Sequence, residues 1–240
     1  GEDQGPGDYQ VTVRVTDDGS PSLDDFETIT ITVNEVNVIP VLDTNAGITV
    51  NEGGIEIIDG AELLVTDVDL PAQTLTFTIQ TNVTDGTLYK NGTALGLSDT
   101  FTQEDIDNNL LSYEHNGSET VSDSFQFTVS DGSGCSIGNT IFQITITPAN
   151  DAPTANDDNG IGYETDEDSA FTTGNVLGND TDPDTSDTLS VLSFDTTGTV
   201  GLVNDNGDGT FGYDPNGQFE HLAVGDSATD TFGYTITDGN

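Results

Sequence analysis

The chain has 240 residues, of which 44 are acidic and only Arg14 and Lys90 are basic, giving a formal net charge of −42. Nucleic acid and anionic membrane surfaces, which are held largely by Lys and Arg, are excluded as partners. Self-repulsion of this size weakens a compact state unless counter-cations are bound, so divalent cations or a salty medium belong to the expected folded system.

Low hydrophobicity with high net charge is also the composition of disordered chains. Here, however, the apolar residues are ordered with period two, the mark of strands with one buried face. Tyr9, Val11, Val13 and Val15 alternate with Gln10, Thr12, Arg14 and Thr16, and Ile29, Ile31 and Val33 alternate with Thr30 and Thr32. The spacing predicts strands over Tyr9–Thr16 and Thr28–Val33, joined by a turn. Pro40 follows, and a strand with Ile48 and Val50 opens the next stretch. Further strands are predicted at Leu75–Ile79, Thr87–Tyr89, Leu111–Tyr113, Phe125–Val129 and Phe142–Ile146. Thr102-Gln103-Glu104-Asp105 has capping-box character and predicts one helical turn before Leu110. Pro148 and Pro153 cannot sit in a central strand and mark a second linker. The same order of elements is expected to recur from Thr154 onward.

A longer period overlies these strands. An alternating strand runs into an Asp-Gly turn or its equivalent at Asp17, Asp131 and Asp238, spacings of 114 and 107 residues. A repeat of this length is too long for a solenoid and suits a β-sandwich of about 100 residues. The expected fold is therefore all-β, tandem Greek-key sandwiches of Ig-like type in an elongated array. Residues 1–37 read as the closing hairpin of a repeat whose beginning is missing, 38–152 as a complete repeat, and 153–240 as a repeat without its last strand. Donor-strand exchange would not duplicate the Tyr9–Thr16 strand, so the two ends read as a cut through an array.

The register between the two later repeats singles out carboxylates. Glu52 matches Glu167, Asp67 matches Asp182 and Asp69 matches Asp184, each 115 residues on. At this acid content a lone Asp-x-Asp carries no weight, but a pair recurring at one domain position does. Ca²⁺ takes six to eight oxygen ligands, mostly carboxylates and carbonyls. A first-strand Glu, an Asp-x-Asp loop and linker Asn and Asp residues form such a set if they converge at one pole. The favoured set is Asn150, Asp151, Glu167, Asp182 and Asp184 at the second junction. Glu52, Asp67 and Asp69 form a weaker set at the first.

Three stretches carry a family resemblance. V-R-V-T-D-D-G-S-P-S-L and I-T-I-T-V-N-E-V-N-V-I-P (13–23 and 29–40) resemble the closing hairpin and linker of a cadherin repeat. Residues 101–132, with Y-E-H-N-G-S-E-T and F-Q-F-T-V-S-D-G, are similar to the cadherin-related repeat of chondroitin-sulfate proteoglycans. D-E-D-S-A (166–170), V-L-G-N-D-T-D-P-D (176–184) and D-G-T-F-G-Y-D-P-N (208–216) resemble the VCBS-type repeats of large bacterial surface adhesins. The resemblance implies Ca²⁺ clamped between consecutive repeats of a secreted or cell-surface adhesin, with neighbouring repeats, other adhesins or surface glycans as partners. The linker motif D-x-N-D matches Asn150 and Asp151 but has Pro148 for its first Asp; at the first linker only Glu35 and Asn37 fit, with Val38 in place of the second Asp, and the resemblance adds these two to the weaker set at the first junction.

Other chemistries find little support. An EF-hand over 204–215 would need Glu where Pro215 stands, so Asp208-Gly209 reads as a hairpin turn. His115 and His221 have no adjacent nucleophile pattern, and no carboxylate pair is set apart for acid/base work. Cys135 is the sole cysteine, in a Gly/Ser loop. The rival readings are a glycan-binding module, which would need exposed aromatic faces, and a ligand-free filament or sheath subunit.

Overall fold

The computed structural model describes residues 5–69 and 71–240 and divides into two compact units, residues 1–148 and 149–240. The strands of the first unit are β1 (Gly7–Thr16), β2 (Asp24–Val33), β3 (Val41–Asn45), β4 (Ile48–Asn51), β5 (Ile55–Ile57), β6 (Leu63–Thr66), β7 (Thr76–Thr81), β8 (Gly86–Lys90), β9 (Thr93–Ala94), β10 (Thr100–Thr102), β11 (Leu111–His115), β12 (Ser122–Ser130) and β13 (Ser136–Thr147), with helix α1 at Gln103–Asp107. The second unit holds β14 (Phe171–Thr172), β15 (Ser190–Asp195), β16 (Leu202–Asp205), β17 (Phe211–Asp214) and β18 (Gly233–Thr237).

In the first unit a five-stranded sheet, β10-β7-β12-β13-β4, and a four-stranded sheet, β5-β11-β8-β9, share one apolar core; β3 and β6 pair beside them. The alternation seen in the sequence fixes which side chains turn inward. Phe125, Phe127 and Val129 on β12 are fully buried, as are Phe77 and Ile79 on β7, while the intervening Thr and Gln positions are not. Phe77 stacks on Phe101 with ring centroids 4.8 Å apart, and Phe125 meets Phe142 at 5.1 Å. Burying such rings contributes about 2–3 kcal/mol each before the entropy of ordering is charged against it. The capping box closes α1 as expected: Thr102 Oγ1 accepts from the Asp105 amide, and Asp105 accepts from the Thr102 amide.

β1 and β2 pair antiparallel over ten residues, from Gly7 opposite Val33 to Thr16 opposite Asp24. The buried face expected of this hairpin is absent. Ile29, Ile31 and Val33 are 46–49% exposed, because no second sheet packs on the hairpin among the described residues. Arg14 forms an ion pair with Asp24 across it.

The second unit is shallower. Its sheets are β14-β17-β16 and β15-β18, and Phe211 is fully buried among Phe232, Phe194 and Tyr234. β16 and β17 form the hairpin expected around Asp208-Gly209.

Each unit contains the same carboxylate brace. Asp123 accepts from the Thr84 and Asp85 amides (3.1 and 2.9 Å) and from the Tyr113 hydroxyl (3.0 Å). Asp230, 107 residues on, accepts from the Val200 and Gly201 amides (3.0 and 2.8 Å) and from the Tyr213 hydroxyl (2.8 Å). A glycine beside each brace is a space requirement. A Cβ at Gly86 would overlap the Tyr113 ring and the Glu114 carbonyl, and one at Gly201 would overlap the Tyr213 ring and the Asp214 carbonyl.

Candidate metal centre

The chain enters the first sandwich through residues 34–40, and there the sequence-selected residues Asn37, Asp67 and Asp69 meet. Asp67 and Asp69 follow β6, which pairs with β3 so that Thr66 lies opposite Val41 at the point of entry. The Val38 amide donates to both oxygens of Asp69 (3.2 and 2.9 Å), and the Asp69 amide donates to Asp67 Oδ1 (3.0 Å). The third carboxylate is Asp131, at the turn between β12 and β13. Asn37 Nδ2 donates to Asp131 Oδ2 at 2.9 Å, and Gln73 Nε2 bridges Asn37 Oδ1 and Asp69 Oδ2. Asp67, Asp69 and Asp131 each offer an oxygen within 4.8 Å of the others.

Charge and burial make this cluster unusual. Asp69 and Asp131 are 2% and 3% exposed. Burial pushes the Asp131 carboxyl up, but Asn37 and the Ser133, Cys135 and Gly134 amides outweigh it and hold the carboxyl below the ordinary range. Asp67 Oδ2 and Gln73 Oε1 are buried without a hydrogen-bond partner. Three carboxylates this close repel one another unless a cation sits among them. Carboxylate and amide oxygens with no nitrogen or sulfur ligand form the donor set of a hard cation, so the residues present fit Ca²⁺.

The second unit repeats the hydrogen-bond pattern with its own residues, without Asp182, Asp184 and Asp238 bringing their oxygens within 4.8 Å of one another. Asn150 Nδ2 donates to Asp238 Oδ2 (2.7 Å), the Asp151 amide to Asp184 Oδ2 (2.7 Å), and the Asp184 amide to Asp182 Oδ1 (2.9 Å). Asp182 Oδ2, like Asp67 Oδ2, is buried and has no partner. Asn240 Nδ2 donates to Asn150 Oδ1, as Gln73 does to Asn37, but its second acceptor is Asp187 Oδ2 rather than Asp184. The Asn240 amide, then the Asn150 side chain, hold the Asp238 carboxyl below its ordinary range.

Not all predicted ligands join these clusters. Glu52 follows β4, which runs parallel to β13, and its amide donates to Thr147 O at the far end of β13 (2.9 Å). Asp131 lies at the near end of that strand, so the first sandwich separates Glu52 from Asp67 and Asp69 by the length of β13. Convergence of Glu52 with the Asp-x-Asp loop at one pole is therefore not seen. Glu52 instead lies near Glu119, with carboxylate oxygens within 4.8 Å. Glu167 sits in a turn ahead of β14, at the register position of Glu52, and Glu35 is half-buried in the segment after β2. Asp131, Asp238, Gln73 and Glu119 were not among the residues singled out as ligands. Asp131 and Asp238 had a signal: both are the Asp-Gly marks that define the repeat.

Residues 40–146 match the family model described as cadherin-like, and residues 150–240 match that of the bacterial cadherin-like domain. The chain is 40% identical over 108 residues to mouse extracellular matrix organizing protein FRAS1, and 33% identical over 117 residues to human chondroitin sulfate proteoglycan 4. These alignments cover 44% and 48% of the chain but 3% and 5% of the relatives, so the chain spans a small part of their length. Among solved structures, a protocadherin gammaB7 EC3-6 cis-dimer aligns over 94% of this chain and 54% of its own, with a TM-score of 0.45 and 18% identity. No helix among the described residues is long and apolar enough to cross a membrane. From its two matched segments, which together cover most of its length, the chain belongs to the cadherin-like repeats.

Proposed function

We propose that this chain is a calcium-stiffened structural or adhesive segment of an extracellular protein. The observation that carries the reading is the Asp67, Asp69 and Asp131 cluster, with its buried, unpartnered Asp67 oxygen. Ca²⁺ there would neutralise three carboxylates and lock residues 37–38 onto the sandwich that follows them. Asp182, Asp184 and Asp238 would do the same for residues 150–151. A string of repeats, each gripping its own entry segment, bends less than one joined by free linkers. The names of the relatives, matrix and proteoglycan proteins, support an extracellular setting, and the two consecutive family matches support neighbouring repeats as first partners.

The family matches support a structural or adhesive role for the segment. The glycan-binding reading finds no stacking face in the core of the first sandwich, where Phe77, Phe101, Phe125, Phe127, Phe142 and Tyr113 are fully buried, although Phe26 on β2 stands exposed outside that core. Calorimetric titration of chelator-treated protein with Ca²⁺ tests the proposal. Saturable binding abolished jointly by Asp69→Asn and Asp131→Asn is expected, and heat that survives both substitutions would overturn the cluster as the site.

A further inference from the structure

The imidazole of His115 does something the metal reading does not use. It is 2% exposed at the end of β11, and its Nδ1 accepts from two amides, Gly53 (3.1 Å) and Gly117 (3.3 Å). Its Nε2 lies 3.0 Å from Thr120 Oγ1. Two N–H groups aimed at one ring nitrogen fix the tautomer: Nδ1 carries the lone pair and Nε2 the proton, donated to Thr120. Gly53 directly follows Glu52, and Gly117 and Thr120 flank Glu119, so the ring ties together the two turns that carry this carboxylate pair. The backbone adds one more link, from the His115 amide to Gly54 O (2.9 Å).

We propose that His115 is a positioning residue that holds the Glu52 and Glu119 turns together only while its ring is neutral, making this end of the first sandwich sensitive to mild acid. The idea stands independently of any bound metal. Protonation places a solvent-derived proton on Nδ1, which then cannot accept from Gly53 or Gly117 and instead confronts two donors with a third. The charged groups on the elements around the ring are carboxylates. Glu52 and Glu119 lie on the tied turns, Glu114 is its neighbour on β11, Glu56 lies on the paired strand β5, and Asp85 O accepts from the Asn116 amide. The nearest basic group on these strands is Lys90, opposite Leu111 at the other end of β11. Acidification thus replaces an amide-to-ring tie with an imidazolium drawn to the carboxylates, and histidine is the side chain whose ordinary titration falls in the mildly acidic range.

The test is amide hydrogen exchange and nitrogen-15 NMR on the full chain in chelator. On going from about pH 7.5 to about pH 5, protection at Gly53 and Gly117, corrected for intrinsic rates, is expected to fall about tenfold or more while the β12 and β13 amides keep theirs. His115→Asn places an amide oxygen near the position of Nδ1; it is expected to keep both amides protected and to remove the pH dependence. His115→Leu is expected to lose protection at Gly53 and Gly117 at every pH. Unchanged protection at the two glycines across the imidazole titration would overturn the proposal, as would an Asn variant as pH-sensitive as the parent.

Discussion

Asn37 Nδ2 donates to Asp131 Oδ2 across 94 residues of sequence, and Asn150 donates to Asp238 in the same way across 88. Each bond clips the segment entering a sandwich to the last turn of that same sandwich. The amide bonds Val38 to Asp69 and Asp151 to Asp184 lie beside them in matching register. An entry segment held this way brings Asp67, Asp69 and Asp131 close enough to repel one another. Replacing Asp131 with Asn removes one negative charge from the cluster while leaving a side-chain oxygen to accept from the loop amides. The variant is expected to bind Ca²⁺ at least about tenfold more weakly, by loss of one charged ligand. The rise in melting temperature between chelator and Ca²⁺ should shrink accordingly, which scanning calorimetry in both conditions checks.

The Asp123–Tyr113 brace should be a stability element with no role in cation binding. Tyr113→Phe keeps the ring in the core and deletes one hydroxyl bond to a buried carboxylate, at a cost of about 1–3 kcal/mol. Tyr213→Phe, whose ring and Asp230 partner are less buried, is expected to cost less. Gly86→Ala forces a methyl into the Tyr113 ring and the Glu114 carbonyl, and should destabilise by about 2 kcal/mol or more. Urea unfolding of the three variants in Ca²⁺ would establish the order. Equal losses for the two tyrosines would contradict it.

Much of the first sandwich was legible in the alternation, because β4, β7, β8, β11, β12 and β13 each pair one buried face with one solvated face, and period two reports that directly. The short strands β3, β5, β9 and β10 were not, since two to five residues at sheet edges carry too little pattern. The hairpin β1–β2 shows the opposite failure: its alternation predicts strands but cannot say whether a second layer covers them. Within the candidate site, Asp67 and Asp69 could be read because they repeat at a fixed offset. Gln73 could not, as the residue 114 positions on is Asp187, which accepts from Asn240 where Gln73 donates. Glu52 also repeats, and only the parallel pairing of β4 with β13 shows that it belongs to the far end. Sequence register says which residues are equivalent, while topology decides which are neighbours.

Acid should attack the Asp230 brace in a defined window. Burial raises the Asp230 carboxyl, but the Gly201 and Val200 amides and the Tyr213 hydroxyl outweigh it and leave it below the ordinary carboxylate range. A depressed folded-state pKa contributes stability that is present above the unfolded value near 3.9 and is lost as pH falls through the folded value. Asp230→Asn should therefore be less stable than the parent at neutral pH, with the gap closing below about pH 4. Comparing parent and variant cancels the general relief of self-repulsion that acid brings to so acidic a chain. The tyrosines act at the other end of the scale. Burial first, then the bond and charge of Asp158, push the Tyr163 phenol up to about 12. That stability is complete below the unfolded value near 10 and is lost as pH rises toward 12, so Tyr163→Phe should flatten the alkaline limb of the stability curve.

Self-repulsion gives the last expectation. With a net charge of −42 and two basic residues, the folded chain in chelator and low salt is opposed by its own field. Monovalent salt shortens the Debye length from about 30 Å at 0.01 M to about 8 Å at 0.15 M, which screens the diffuse repulsion between surface carboxylates. It does far less for Asp69 and Asp131, which are buried side by side. The melting temperature in chelator should rise with NaCl and level off, and millimolar Ca²⁺ should raise it further at the plateau. Mg²⁺ is the control for charge alone, since it demands tighter octahedral geometry and gives up its water reluctantly. Equal stabilisation by Mg²⁺ and Ca²⁺ at saturating NaCl would reduce the clusters to general acidic surface. A Ca²⁺-specific increment that vanishes when Asp69 and Asp131 are both replaced by Asn would tie it to this one arrangement of oxygens.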